Sequence, residues 1–417
     1  MALESRGQRE PLRNEAELLG LLSRAFGLAV ISHASLSDYD QTGWGWVKLI
    51  AYGVGIFCFF APQRPPHPYR PSVRWIWGLV CLSFMMSKIY CLLMLRDVLT
   101  QSLLICVDAF ILTMAFIEPR YTHHALKSIS LITGATYGLA ILHKLNHDFL
   151  FMKQSCAIHG IEVSLSLLPQ SWLHESRETL MAYLYAQPLF ASCLVIAIEC
   201  SLCLLCIMNS RKVWWLGLIF HVPLALTIAP AFGSVMMIGW GAGTLSKAGE
   251  RIRKSVRQRS STLISLASLC YIVHGTVSPY LGIEVQHSAA MLSNLRIDPP
   301  CANSLVFPHL KFDPYIKVEE ISFGSQHTVK LQTRAQLVKE GLWSLTALNV
   351  MKQNWCIPEH VPLSLRGQRG DQGFEIRDLC TESSLDELYR QRGAAPFRAW
   401  QRYQKNLKRQ CHQACVH

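Results

Sequence analysis

Residues 190–228 read FASCLVIAIECSLCLLCIMNSRKVWWLGLIFHVPLALTI, two apolar runs of helical length joined by a short polar turn. Taken with their flanks, as 185–208 and 213–240, both are long enough to cross a bilayer, which needs about 20 mostly apolar residues. Each carries one ionisable residue mid-run, Glu199 in the first and His221 in the second. Counted from the turn Asn209–Lys212, both lie about ten residues in, so at 1.5 Å per residue both reach roughly 15 Å depth. They can therefore face one another. A carboxylate beside an imidazole can hold a proton, orient a base or bind a polar head group. The other reading is a buried structural pair that fastens two helices.

The composition of the whole chain agrees with that pair. Of 417 residues only 16% are charged, against roughly 25% in a soluble globular chain. Half are apolar, and the mean hydropathy is +0.21 although the chain ends in a long polar stretch. Disordered, collagen-like and disulfide-scaffold readings are excluded. Further spans are predicted near 45–61, 75–95, 98–117, 128–147 and 262–283. Residues 16–34 place apolar residues at helical spacing around Arg24, as an interfacial helix or a tilted eighth span would. Residues 148–184 are too polar for a span and too apolar for a simple loop, which fits a re-entrant or interfacial stretch. From about residue 300 the pattern changes. IKVEEISFGSQHTVKLQT (316–333) alternates as strands would around a turn at Phe323–Gln326, while 334–348 and 384–393 read as helices. The expectation is an all-α polytopic membrane bundle of seven or eight spans with a small C-terminal α+β water-facing tail. Its divisions are an N-terminal tail 1–15, a transmembrane domain 16–299 and the soluble tail 300–417.

The net charge of +12 is not arranged as a basic stripe interleaved with aromatics, so nucleic acid is excluded as a partner. Basic residues cluster instead between the apolar runs. The densest cluster, 247–259, argues for cytoplasm on its side and a lumenal or external tail; the loops at 62–74, 120–127 and 211–212 vote the other way. Many of the 15 cysteines lie inside apolar runs. Cys200, Cys203 and Cys206 are spaced like a metal motif but sit on one continuous helix, so they read as small packing residues. No metal site is predicted, and cysteine usage leaves the redox compartment undecided. The N-terminal MALESRGQREPLRNEAE has no apolar core and is not read as a cleavable signal peptide.

Charge inside a span is rare and usually functional. Lys88 and Asp108 flank the turn at Arg96–Asp97, about eight and eleven residues in, so their depths differ by only ~5 Å. They are read as a structural ion pair. Lys144 ends the run SLITGATYGLAILHKLNHDFL (130–150), beside His143, Asn146, His147 and Asp148. It reads either as a lysine snorkelling at a helix end or as an amine made a usable base by a poorly hydrated pocket.

The order of three strings bears on that choice. HKLNHDFLFMKQSC (143–156) resembles the lysine-bearing segment of the HTTM (horizontally transferred transmembrane) domain, a family related to vitamin K-dependent gamma-glutamyl carboxylase. The paired runs carrying Glu199 and His221 look like that family's acidic and histidine spans joined by an Arg-containing turn. HSAAMLSNLRIDPPCANSLVFP (287–308) resembles its S-N-L-R segment. The match covers about residues 15–310 and extends to the broader HTTM group, because the carboxylases carry a larger lumenal portion than this tail.

The resemblance implies an integral membrane enzyme of the carboxylase-like lyase class, with Lys144 as the base that deprotonates a reduced quinone resembling vitamin K hydroquinone. Oxygen then makes a stronger base, which takes a proton from carbon, and carbon dioxide captures the carbanion. Glu199 and His221 are implied to line or brace the cavity, with Asn146, Ser293, Asn294 and Arg296 at the substrate or cofactor site. The implied partners are membrane lipid and a lipophilic or peptide substrate. The implied location is the endoplasmic reticulum membrane in a eukaryote, or the plasma membrane in a bacterium. A non-catalytic lipid- or partner-binding maturation protein and a transporter are the alternatives.

Overall fold

The computed structural model describes residues 19–31, 34, 45–59, 71–93, 100–167, 170–227, 230–252, 260–281, 293–297, 301–307, 315–323, 336, 338–343, 348, 352, 356, 363–369, 372–381, 385, 411 and 415. The described residues are mostly helical, with a small antiparallel sheet among those near the C-terminus. The helices are α1 (Leu19–Ile31), α2 (Gly45–Phe59), α3 (Pro71–Leu93), α4 (Thr100–Ile117), α5 (Thr122–Lys144), α6 (His147–Phe151), α7 (Cys156–Ser166) and α8 (Gln170–Ala186). There follow α9 (Pro188–Ile207), α10 (Lys212–Thr227), α11 (Pro230–Ile252) and α12 (Thr262–Val277). Among the described residues, α5 and α9 are long and apolar enough to cross a membrane.

Several boundaries follow from local chemistry. Asn209 closes α9 in the left-handed region at φ 50°, and the Ser210 N–H donates to the Leu205 carbonyl, a C-terminal cap that reverses the chain into α10. The single span expected over 213–240 is in fact two helices. Pro230 lacks an N–H and disfavours helical backbone at the residue before it, so it opens a new helix. The stretch expected to be re-entrant or interfacial, 148–184, is also helical, forming α6, α7 and most of α8.

The chain divides into two compact units. The first comprises residues 1–141, 160–181 and 193–274, and the second 142–159, 182–192 and 275–417. In the first unit, small residues let helices approach closely. The backbone of α2 lies against Gly27 of α1 so closely that a methyl group there would meet the Gly55 carbonyl and the Phe59 nitrogen. Cys203 and Cys206 of α9 lie against Gly134 of α5. Phe26 and Phe84 meet edge to face at 5.8 Å, both fully buried.

The second unit holds the sheet, in the order β2-β1-β3-β4, with β1 Ile316–Phe323, β2 Leu342–Trp343, β3 Leu363–Arg369 and β4 Gln372–Ile376. A bulge lies between Val318 and Glu320, so Ile316, Val318 and Ile321 all face inward although strict alternation would turn Ile321 out. They pack with Val338, Leu348, Leu365, Ile376, Leu379 and Leu385. The helix expected over 334–348 does not run through its centre: Leu342 and Trp343 pair with Lys317 and Ile316 as strand β2. The other half of the expected hairpin, 324–333, and nearly all of the expected helix 384–393 lie outside the described residues.

Candidate functional site

In the second unit α5 ends at Lys144 and the chain turns sharply. The Asn146 N–H donates to the Lys144 carbonyl at 2.8 Å, and Asn146 then caps α6 by accepting from the Phe149 N–H at 2.9 Å. The Asn146 amide donates twice more, to the carbonyls of His143 at 2.8 Å and Ser293 at 2.6 Å. Ser293 is 147 residues away in sequence, so this one buried side chain joins the lysine-bearing string to the S-N-L-R string.

The joint is reinforced from the other side. Asn294 sits in the left-handed region at φ 56°, tolerable for asparagine, and its Oδ1 accepts from the Cys156 N–H at 2.8 Å. Asn303 donates through Nδ2 to the Asn294 carbonyl at 2.8 Å and accepts at Oδ1 from the Arg296 N–H at 2.8 Å. Its backbone takes a bond from the His147 N–H at 2.9 Å, and the Leu305 N–H reaches the Leu145 carbonyl at 3.0 Å. Strings 145–156 and 293–305 are therefore one hydrogen-bonded body. Each buried amide or carbonyl left without its partner would cost about 1–3 kcal/mol, so the three asparagines supply what regular secondary structure supplies elsewhere.

Within this body Lys144, Asp148, Ser293 and Arg296 are all buried. The Lys144 ammonium lies 5.7 Å from the centroid of the Phe149 ring, within cation–π range. His143 places Nε2 2.9 Å from the Gly275 carbonyl, which can only accept, so Nε2 carries the hydrogen. In the neutral ring Nδ1 then accepts from the Tyr280 hydroxyl at 3.2 Å, and Tyr280 packs on Phe307 at 4.2 Å. The site thus contains a buried amine, a buried guanidinium, a buried carboxyl and aromatic faces.

Glu199 and His221 fall in the first unit, both buried. Beside His221 the structure adds a residue that the sequence reading missed. The Tyr137 hydroxyl lies 2.7 Å from His221 Nε2. The His221 ring also packs on Trp240 at 5.6 Å and Phe232 at 5.3 Å. Gly217 makes room for Trp240, since a methyl group there would overlap the indole.

Asp108 is fully buried, and no donor among the described residues reaches either of its oxygens. The Tyr271 hydroxyl is bonded to that of Thr136 at 2.9 Å. The side chain of Lys88 lies outside the described residues, and with it the expected Lys88–Asp108 pair.

The cysteines divide by unit. Cys156–Cys415, Cys301–Cys411 and Cys356–Cys380 are disulfides, all in the second unit. The free cysteines among the described residues, Cys58, Cys81, Cys106, Cys193, Cys200, Cys203, Cys206 and Cys270, are all in the first. No described group of three or more His, Cys, Asp or Glu side chains is placed to hold a metal ion. No protein-family model, curated protein or solved structure matches the chain.

Proposed function

We propose that this chain is a multi-pass membrane enzyme of the HTTM/carboxylase-like class in which Lys144 takes a proton from a reduced quinone, oxygen and carbon dioxide being co-substrates, to act on an apolar or peptide substrate. The observation that carries this reading is the hydrogen-bonded body that Asn146, Asn294 and Asn303 make of the two family-like strings, with Lys144 and Arg296 buried in it.

Lipid-facing spans beyond α5 and α9 are supported by what the shorter helices expose. Trp215, Ile219, Val222 and Leu226 form one stripe on α10, with Trp215 74% and Ile219 72% exposed. Leu263, Leu266, Leu269 and Val273 do the same on α12. Each such side chain would forgo roughly 1.5–3 kcal/mol if left in water. A bilayer removes that penalty. The disulfides support an orientation, because they persist in oxidising compartments. They favour a lumenal or external second unit, and the basic cluster 247–259 favours cytoplasm on its own side.

The residues around Lys144 fit a quinol in kind. Phe149, Tyr280 and Phe307 supply flat aromatic rings, and a neutral amine can take a hydroxyl proton. The bound quinone supplies the redox chemistry; the chain holds the proton at Nζ, orients the Lys144 end of α5 through His143 and Asn146, and keeps water out.

The test supplies reduced naphthoquinone, oxygen and carbon dioxide to purified full-length protein and to Lys144→Met. Quinol consumption should fall at least about a hundredfold in the variant, with circular dichroism unchanged. Equal consumption by both would overturn the reading. A transporter or a non-catalytic maturation protein would consume none in either.

A further inference from the structure

The two disulfides that reach the ends of the candidate site both start from one short C-terminal segment. Cys415 bonds Cys156, the last residue of the lysine-bearing string, across a sequence separation of 259. Cys411 bonds Cys301, in the string that follows Arg296, across 110. Residues 411–415 are therefore a covalent bridge between the strings that Asn146, Asn294 and Asn303 hold by hydrogen bonds. With Cα–Cα separations of 4.7 Å at each disulfide and four residue steps of at most ~3.6 Å between them, the Cα atoms of Cys156 and Cys301 stay within roughly 25 Å even if every hydrogen bond opens. Without the bridge, the strings belong to a loop well over a hundred residues long, and its closure opposes their meeting.

We propose that Cys411 and Cys415 form a redox clamp that assembles the Lys144 site on the oxidising side of the membrane. In each step two thiols lose two protons and two electrons and form one S–S bond. The electrons pass to a protein disulfide donor, whose own disulfide becomes a dithiol. Cys411–Cys301 closes the shorter loop; Cys415 is then held near Cys156 at raised effective concentration. The reduced chain keeps its helices, whose backbone bonds lie within each helix, but loses the joint between the strings. The consequence for activity rests on the enzymatic reading above. The clamp itself does not.

Hydrogen exchange tests it in the full-length protein, because the joint has its own reporter amides: His147, Cys156 and Leu305, each bonded across the two strings. In Cys411→Ser/Cys415→Ser these amides should exchange at least about tenfold faster than in wild type, while α5, α9 and α12 keep their protection. Cys356→Ser/Cys380→Ser, which breaks the disulfide beside the sheet core, should leave the reporters within about twofold of wild type. Should the double variant fail to fold, brief reduction of folded Cys356→Ser/Cys380→Ser protein, which keeps only the two clamp disulfides, gives the same readout. Unchanged reporter exchange after loss of both clamp disulfides overturns the proposal, and so does an equal effect from the sheet disulfide. Loss of quinol turnover with unchanged exchange would leave the enzymatic reading standing and sink the clamp.

Discussion

The two units satisfy their buried polar groups by different means. In the first, helices close their own backbone bonds, and helix contacts rest on small residues such as Gly27 and Gly134 and on thiols that stay free. In the second, the site strings hold little regular structure beyond the short helix α6, so asparagine amides and disulfides take over much of what a long helix does for itself. The comparison teaches where a substitution should hurt: through volume in the first unit, through lost hydrogen bonds in the second.

The largest effect is expected at Asn146. Asn146→Leu strands the Ser293 and His143 carbonyls and the Phe149 N–H, and should cost about 3–5 kcal/mol, read as loss of the second unit's protease resistance with helical circular dichroism retained. Gly27→Ala comes next. The added methyl meets α2 backbone that cannot rotate away, for a loss of about 1–3 kcal/mol in thermal unfolding, with the protease resistance of the second unit unaffected. Tyr137→Phe removes the hydroxyl beside His221 and should lower stability by about 1–2 kcal/mol; a neutral result would mean that this bond contributes nothing to the first unit.

Asp108→Asn sharpens the contrast from the other side. A carboxylate with no donor among the described residues gains nothing from its charge, so the variant should be neutral or slightly stabilising. A cost of about 3 kcal/mol or more would instead establish the Lys88 pair that the spacing suggested. The smallest effect belongs to Cys193→Ser, an exposed free thiol, at under about 0.5 kcal/mol.

Much of the first unit was legible in the sequence because a run of about 20 apolar residues announces a helix wherever it packs. At 213–240 continuous hydropathy hides the break, which Pro230 marks. Tyr137 carries no such signal, because a phenol inside an apolar run passes for aromatic core. In the second unit, periodicity had little to read. Its joint is made by single side chains between segments more than a hundred residues apart, and its disulfides pair cysteines whose spacing encodes no partner. Strands β3 and β4 were missed although Gly370-Asp371 between two short alternating runs is a hairpin signal. The family-like strings did single out Lys144, Asn146, Ser293, Asn294 and Arg296, which the structure brings into one unit; Glu199 and His221 it places in the other.

The central claim is that residues 143–156 and 293–305 form one site, locked by amides and clamped through the C-terminus. Peptide mapping by mass spectrometry of the unreduced full-length protein tests it most directly. The account predicts linked peptides for Cys156–Cys415 and Cys301–Cys411, with Cys58, Cys81, Cys106, Cys193, Cys200, Cys203, Cys206 and Cys270 recovered as thiols. Cys156 or Cys301 recovered as a free thiol, or bonded to any cysteine of the first unit, would contradict it.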